Sequence, residues 1–354
     1  MSLINKVRLG SSLLGSKLSG HSAPLIINWA ITGKCNLRCT HCYGSYGRVQ
    51  NEELNFDTIT KTIDEARELG TKRITIEGGE PLVRQDVAEI IAYISKAGME
   101  MSLCTNGVLL GRYAEKIKDK IDLVVLSLDG TEAHHDKIRG AGHFKKVMEA
   151  IETAKQNKLR VLLFSCLIDE NMADIDYLVK LAEEKGVKSA FNIAVSKLKG
   201  TDKREDGLKL SDETYRQAIG RVIELKSKGA PIYYSDRNFN QALCWPTFSS
   251  EKLFGADIEK LQAAQRKTLV RCFAGKHFCY IESSGGVYPC YQTVGTLPAG
   301  NIKDAGGLKG AFEKLSKLDY CKACYNVTLS ELNLQCSLDI KSVLKVGANY
   351  LGKK

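Results

Sequence analysis

Leu25-Ile-Ile-Asn-Trp-Ala-Ile-Thr32, with Cys35-Asn-Leu-Arg-Cys39-Thr-His-Cys42 directly behind it, decides how the rest of the chain is read. The first run is apolar and β-branched, the composition of a buried strand. Outward from it, short β-like runs alternate with amphipathic helical stretches. Phe56 to Gly70 reads as a helix with Asp57 as its N-cap and Gly70 as its stop. Strands follow at Arg73–Ile76, Glu100–Cys104, Leu123–Leu128, Arg160–Cys166 and 188–194, with helices at Asp86–Gly98, 108–118, 143–157, 173–185 and 211–228. Six strands each followed by a helix imply parallel pairing through right-handed crossovers. Six βα units are short of the eight that close a barrel, so the expected fold is α/β, a partial (β/α)6 TIM-like barrel over residues 25–228.

Residues 229–270 read as a bridge, with a short strand at Pro231–Tyr234 and a helix around 256–266. From Arg271 the helical rhythm gives way to Gly, Cys and Pro, so residues 271–354 are expected to form a small cysteine-rich α+β module. Its end, Ser330 to Val346, returns to a helical pattern. Residues 1–24 form an amphipathic N-terminal segment, expected to pack as a helix under the barrel; contact with a membrane surface is the less favoured reading of residues 1–20.

The composition bounds the function. With 44% apolar residues among 354, a sizeable core is affordable. No apolar run approaches the roughly 20 residues that span a bilayer, and no secretory signal opens the chain, so a cytoplasmic protein is expected. The net charge is +10, and residues 196–354, with 25 basic and 16 acidic side chains, supply +9 of it. That surplus suggests an anionic substrate or region. Nucleic acid is not expected, because no Lys/Arg block or aromatic–basic repeat occurs.

Twelve cysteines in such a chain point to metal binding or catalysis rather than disulfides. Three of them, Cys35, Cys39 and Cys42, follow the first strand, and strand C-termini are where sites assemble in parallel α/β sheets. Three thiolates are an odd number: structural zinc and [4Fe–4S] clusters both normally take four ligands. Three on a cluster leave one iron open to another ligand. His41 is the candidate fourth ligand of a zinc site, at the cost of straining the loop beside Cys42.

The Cys-x3-Cys-x2-Cys spacing after the first strand resembles the signature of the radical S-adenosylmethionine (SAM) enzymes. Further segments match that superfamily in order: Gly78-Gly79-Glu80-Pro81, Thr105-Asn106-Gly107, Ser127-Leu128-Asp129-Gly130, and His135-Asp136 with Arg139-Gly140. The resemblance covers about residues 25–195. It implies a [4Fe–4S] cluster on Cys35, Cys39 and Cys42 whose open iron chelates SAM. It implies reductive cleavage of SAM to a 5′-deoxyadenosyl radical that abstracts a hydrogen atom, and an electron donor such as flavodoxin or ferredoxin. By resemblance, Glu80 and the Gly78–Gly79 backbone hold the SAM amino group, Ser127 and Arg139 are candidates for the ribose and carboxylate, and Tyr43 packs near adenine. A structural ion pair is the equal alternative for Arg139. Glu77 departs from the relatives, which often carry a small residue there; it is read as a surface side chain at the rim, with substrate contact as the alternative.

The second cysteine set resembles the auxiliary-cluster module of the same superfamily, called SPASM in its long form and twitch in its short form. The matching segments are Cys272-Phe-Ala-Gly275, Gly285-Gly-Val-Tyr-Pro-Cys290, Gly300-Asn-Ile302 and Cys321-x2-Cys324. Eleven residues separate Cys324 from Cys336 and no cysteine follows, so the short form fits better. It implies a second, auxiliary [4Fe–4S] cluster on Cys272, Cys290, Cys321 and Cys324, with Cys336 as rival ligand and a zinc site as the alternative. Cys279 reads as a buried thiol, and Cys104 and Cys166 as packed thiols near the rim, with thiol hydrogen donation as their alternative. A peptide, protein or small metabolite is expected as substrate, with a dehydrogenase or biosynthetic enzyme acting on a lipid-like or cofactor substrate as the alternative and a non-catalytic iron–sulfur or zinc scaffold as the contrasting class. Tyr291 stands where sulfatase-maturing relatives place an Asp, the cysteine-rich terminus of the haem-pathway relatives is missing, and the stretch before residue 25 is too short for a leader-peptide-binding domain.

Overall fold

The computed structural model describes residues 3–44, 46–47, 52–195, 211–297 and 300–337. The period-two alternation of the first six strands sorts their side chains onto two faces. These strands are β1 (Ile26–Thr32), β2 (Arg73–Gly78), β3 (Glu100–Thr105), β4 (Leu123–Ser127), β5 (Val161–Leu167) and β6 (Lys188–Ile193), paired parallel in that order. One parity, including Ile27, Trp29, Ile74, Ile76, Leu103 and Leu126, is fully buried in a single apolar core. The helices α2 (Phe56–Glu68), α3 (Val87–Lys96), α4 (Leu110–Ile117), α5 (Glu132–Arg139), α6 (His143–Gln156), α7 (Ile175–Glu184) and α8 (Asp212–Ser227) follow in chain order, and all but α5 contribute to that core. The other parity lines a cavity inside the curled sheet, with Asn28, Thr75, Glu77, Ser102, Cys104 and Ser127 beside the apolar Leu123, Val125, Leu162 and Phe164. This is the partial barrel that the alternating pattern predicts.

The N-terminal helix α1 (Leu3–Ser19) buries Leu9 and Leu13 in an apolar cluster with Ile26, Phe278, Cys290, Cys324 and Cys336. It therefore packs where the first strand meets the second cysteine set. No helix among the described residues is long and apolar enough to cross a membrane.

The bridge departs from its predicted form. Pro231–Tyr234 contributes only one parallel bridge, Ile232 to Ser189 of β6, and the chain then enters α9 (Asp236–Leu243). A two-residue strand β7 (Lys252–Leu253) follows. The single helix expected at 256–266 is two short ones, α10 (Gly255–Glu259) and α11 (Ala263–Thr268), because Gln262 turns extended (ψ 153°) and caps the second with help from Gln265.

After residue 271 the chain rejoins the barrel sheet. β8 (Phe278–Ile281) pairs parallel to β1, opposite β2, and β9 (Gly286–Tyr288) and β10 (Gly300–Asn301) continue antiparallel. The helix α12 (Gly307–Ser316) covers β9 and β10. A short β11 (Ala323–Cys324) pairs with β7 and leads into α13 (Val327–Cys336). The last helix starts three residues earlier than the pattern predicts because Asn326 caps it through Leu329 N–H at 2.9 Å. The part of that predicted helix from 338 to 346 lies outside the described residues. α13 closes the open side of the curled sheet. Its first N–H, on Val327, donates to Asn192 of β6 at 2.9 Å, and its far end accepts from Arg73 of β2 through Gln335 at 3.1 Å.

The α2 N-cap is Asn55, not Asp57: Asn55 Oδ1 accepts from Thr58 N–H at 2.9 Å, and Asp57 sits inside the first turn. Asn55→Ala is expected to cost about 1 kcal/mol in urea unfolding, and Asp57→Ala, which removes only a charge facing the helix dipole, about 0.5 kcal/mol or less.

Candidate active site

The glycines at the end of β2 fix the site. Gly78 lies at φ +131°, and a Cβ there would stand 2.4 Å from Thr32 O. A Cβ on Gly79 would stand 2.0 Å from Lys34 O. This close approach lets Gly79 N–H donate to Thr32 O at 3.0 Å and Glu80 N–H to Lys34 O at 2.9 Å, which pins the loop that begins at Cys35 against the sheet. Glu80 is fully buried beneath this crossing. Its carboxylate accepts from Leu82 N–H (3.1 Å), Thr105 Oγ1 (2.7 Å) and Asn106 N–H (2.7 Å). The Thr105-Asn106 segment thus serves Glu80, a link the sequence motifs did not reveal. Burial raises the Glu80 pKa against those hydrogen bonds. Gly78 and Gly79 line the cavity, whereas Glu80 stands behind its wall.

Cys35, Cys39 and Cys42 all face the cavity. Burial pushes the Cys35 thiol up to about 11 and raises that of Cys39, which lies 3.9 Å from Arg139 Nη1. Buried thiolates need nearby positive charge, which a bound metal centre provides. Arg139 is an ion-pair residue here: its Nε lies 2.5 Å from Asp129 Oδ2, and both side chains are buried. Asp129 also accepts from Cys166 N–H at 2.9 Å and meets His41 Nε2 at 3.4 Å. Burial opposes the Asp129 charge, but Arg139 and then His41 outweigh it, so its pKa is lowered. His41 is therefore tied to Asp129 at the end of β4, and the pair holds the cysteine loop from a second side. His135, kept neutral by burial with a pKa near 4, accepts from Asp129 N–H through Nδ1 at 3.1 Å. Asp129 entered the sequence reading only as part of the Ser127–Gly130 segment, with no role of its own; the signal was its company with Arg139, which ends α5 ten residues later and pairs with it.

Ser127, Cys104 and Cys166 line the same cavity, which encloses about 340 Å³. Glu77 also lines it and is not a surface residue: it shares the inward parity of Arg73 and Thr75, and burial raises its pKa to about 7. Tyr43 packs on Tyr291 with ring centroids 4.8 Å apart. Tyr291 directly follows Cys290, so this contact joins the two cysteine regions.

The second set converges as well. Cys290, Cys321 and Cys324 each raise the pKa of at least one other member, and Cys272 lowers that of Cys321. Cys272 donates to Cys321, which, with Lys252 nearby, brings Cys321 down to about 7. Cys279 is fully buried in the main core, and Cys336 is buried in the apolar cluster it shares with Cys290 and Cys324. Lys252, whose Nζ donates to Gln292 O at 2.6 Å, gives this set a cation that the sequence did not single out. Among the described residues no three His, Cys, Asp or Glu side chains close on a point suited to one metal ion.

A curled parallel sheet with a three-thiol loop at its rim, a cavity of mixed lining below and a second thiol set gathered around an added hairpin has the layout of a partial-barrel metal-cluster enzyme. The family pattern of the radical SAM superfamily matches residues 29–182. An AdoMet-dependent heme synthase of Methanosarcina barkeri is 31% identical over 296 residues, 80% of this chain and 80% of its own. A mycofactocin maturase, MftC, of Mycobacterium ulcerans is 29% identical over 81% of this chain and 74% of its own. The solved structure of anSMEcpe with bound AdoMet and the Cp18Cys peptide shares the fold, with a TM-score of 0.62 at 21% identity, covering 88% of this chain and 83% of that one. The chain belongs to the radical SAM superfamily. It is an enzyme that uses a [4Fe–4S] cluster and SAM, which together supply a 5′-deoxyadenosyl radical able to take a hydrogen atom from an unactivated C–H bond.

Replacing Asp129 by Asn leaves Arg139 charged and buried without its partner, and a loss of about 3–5 kcal/mol in urea unfolding at neutral pH is expected. Because folding lowers the Asp129 pKa, its stabilisation is complete above the ordinary value of 3.8 and is lost as pH falls through the folded value. The Asn variant is expected to lack that part of the acid limb.

Proposed function

We propose that this enzyme modifies a peptide or protein by hydrogen-atom abstraction. Cys35, Cys39 and Cys42 hold the SAM cluster, and Cys272, Cys290, Cys321 and Cys324 hold an auxiliary [4Fe–4S] cluster. The fit rests on donor chemistry: three half-buried thiols at the rim, Cys39 of them beside Arg139, and four mutually perturbing thiols beside Lys252. The Gly78–Gly79 backbone receives the SAM amino group while Glu80 braces it. Ser127 and Tyr43 border the nucleoside, and Arg139 orients the Cys39 side of the loop. The electron donor is a small reductant such as flavodoxin or ferredoxin, and the enzyme works in the cytoplasm.

The observation that carries the peptide reading is the charge inside the cavity. A haem-type substrate bears carboxylates that call for free cations, but the two lining arginines are committed, Arg73 to Glu100 at 3.0 Å and Arg139 to Asp129 at 2.5 Å. A peptide makes no such demand. The peptide-bound neighbour anSMEcpe lends support.

Anaerobically reconstituted protein is expected to bind about eight irons, the sum of two four-iron clusters. Changing Cys35, Cys39 and Cys42 together to Ala is expected to halve the iron and abolish 5′-deoxyadenosine formation. Loss of the second cluster in Cys336→Ala with retention in Cys321→Ala would replace the ligand set proposed here. With the true substrate deuterated at the reacting carbon, the label is expected in 5′-deoxyadenosine; methyl transfer from SAM instead would overturn the reading.

A further inference from the structure

The fixed charges of the cavity are unequal. Both arginines in its wall are answered by carboxylates, as described. Glu77, also in the wall, has no hydrogen-bond or ion-pair partner among the described residues. Four phenols gather around it. Tyr43 meets Tyr46 edge-on at 5.8 Å and Tyr291 at 4.8 Å between centroids. Tyr280 lies 6.4 Å from Tyr291, and its hydroxyl is 2.8 Å from that of Tyr46. Burial raises the pKa of all four phenols and of the Cys104 thiol, and the nearby Glu77 charge adds to the rise in each. A second acidic oxygen in the wall, Glu331 Oε1, is buried without a hydrogen-bond partner, since Ser235 and Asn238 engage only Oε2.

We propose that Glu77 and the surrounding tyrosines form a receptor for an organic cation, so that the substrate enters the barrel by a primary ammonium or guanidinium group such as a lysine or arginine side chain. The inference rests on the peptide reading above and names the part of the peptide that the site recognises. An unpaired carboxylate in a desolvated wall is costly, and a cation relieves that cost while an anion adds to it. The faces of tyrosine rings attract a cation electrostatically and add shape without adding charge. The basic surplus of residues 196–354 has no counterpart at this point of the cavity, where the unpaired side chain is an acid whose ionised form a bound cation favours.

The test uses the full-length, cluster-reconstituted protein and four probes: N-acetyl-lysine amide, N-acetyl-norleucine amide, N-acetyl-glutamate amide and n-butylammonium. Calorimetric titration is expected to rank the lysine probe at least about tenfold tighter than the norleucine and glutamate probes, and Glu77→Gln to erase that difference. No detectable binding of the lysine probe, equal or better binding of the neutral or anionic one, or a preference that survives in Glu77→Gln overturns the proposal. Should Glu77→Gln fail to fold by far-UV circular dichroism, the wild-type ranking decides alone. If n-butylammonium binds as tightly as the lysine amide, the cation receptor stands and the peptide reading falls. Deoxyadenosine formation with dithionite is followed separately, and its absence counts against the radical chemistry only.

Discussion

The backbone crossing at Gly78 and Gly79 is the contact on which the site depends. Two strands of a parallel sheet normally stand about 4.8 Å apart, with side chains between their ends and any loop above. Here the chain leaving β1 drops onto the end of β2, so that any Cβ on Gly79 would fall 2.0 Å from Lys34 O. The hydrogen bonds made there hold the Cys35 loop at the rim, and the buried Glu80 locks the crossing to β3 through Thr105 and Asn106. A glycine pair, a carboxylate and a strand end thus act as one unit. The Asp129–Arg139 pair repeats the arrangement from β4, with His41 as the tether. The loop is clamped from two strands, and the cavity below is left free for other groups.

Much of this was legible in the sequence because its causes are local. The six strands declared themselves by alternation, and the cysteine loop by spacing. Non-local features were not legible. The pairing of β8 with β1 joins residues more than two hundred positions apart, and no local pattern records a partner at that distance. Glu77 was misread for a related reason. Its parity with Arg73 and Thr75 was visible, but whether that parity faces solvent or an enclosed cavity is set by the curl of the sheet and by α13, which closes the open side. Asn55 was passed over as a cap because Asp57, also a good capping residue, stands two positions on.

The cavity wall is mixed in a fold whose inner layer is often filled with branched apolar side chains. Leu123, Val125, Leu162 and Phe164 keep that apolar character, Asn28, Thr75, Ser102 and Ser127 replace it elsewhere, and the Arg73–Glu100 pair with Gln335 occupies the lower end. Stability is supplied instead by the outer face, where the helices bury an isoleucine-rich layer. The division of labour follows the alternation of each strand: one parity is committed to the core and the other is released for chemistry.

The position of β8 beside β1 bears on how the protein is made. Synthesis delivers β1 some two hundred and fifty residues before β8, so the outer edge of β1 is an unpaired, apolar sheet edge over all the chain made between them. Closing it requires a contact of very high sequence separation, which is slow to form. The same closure brings Cys290 beside Tyr43 through Tyr291 and seats α1 over Cys324 and Cys336. Chain made long after β1 therefore both seals the nascent sheet against aggregation and completes the second thiol set, which ties maturation of that set to a late, long-range closure.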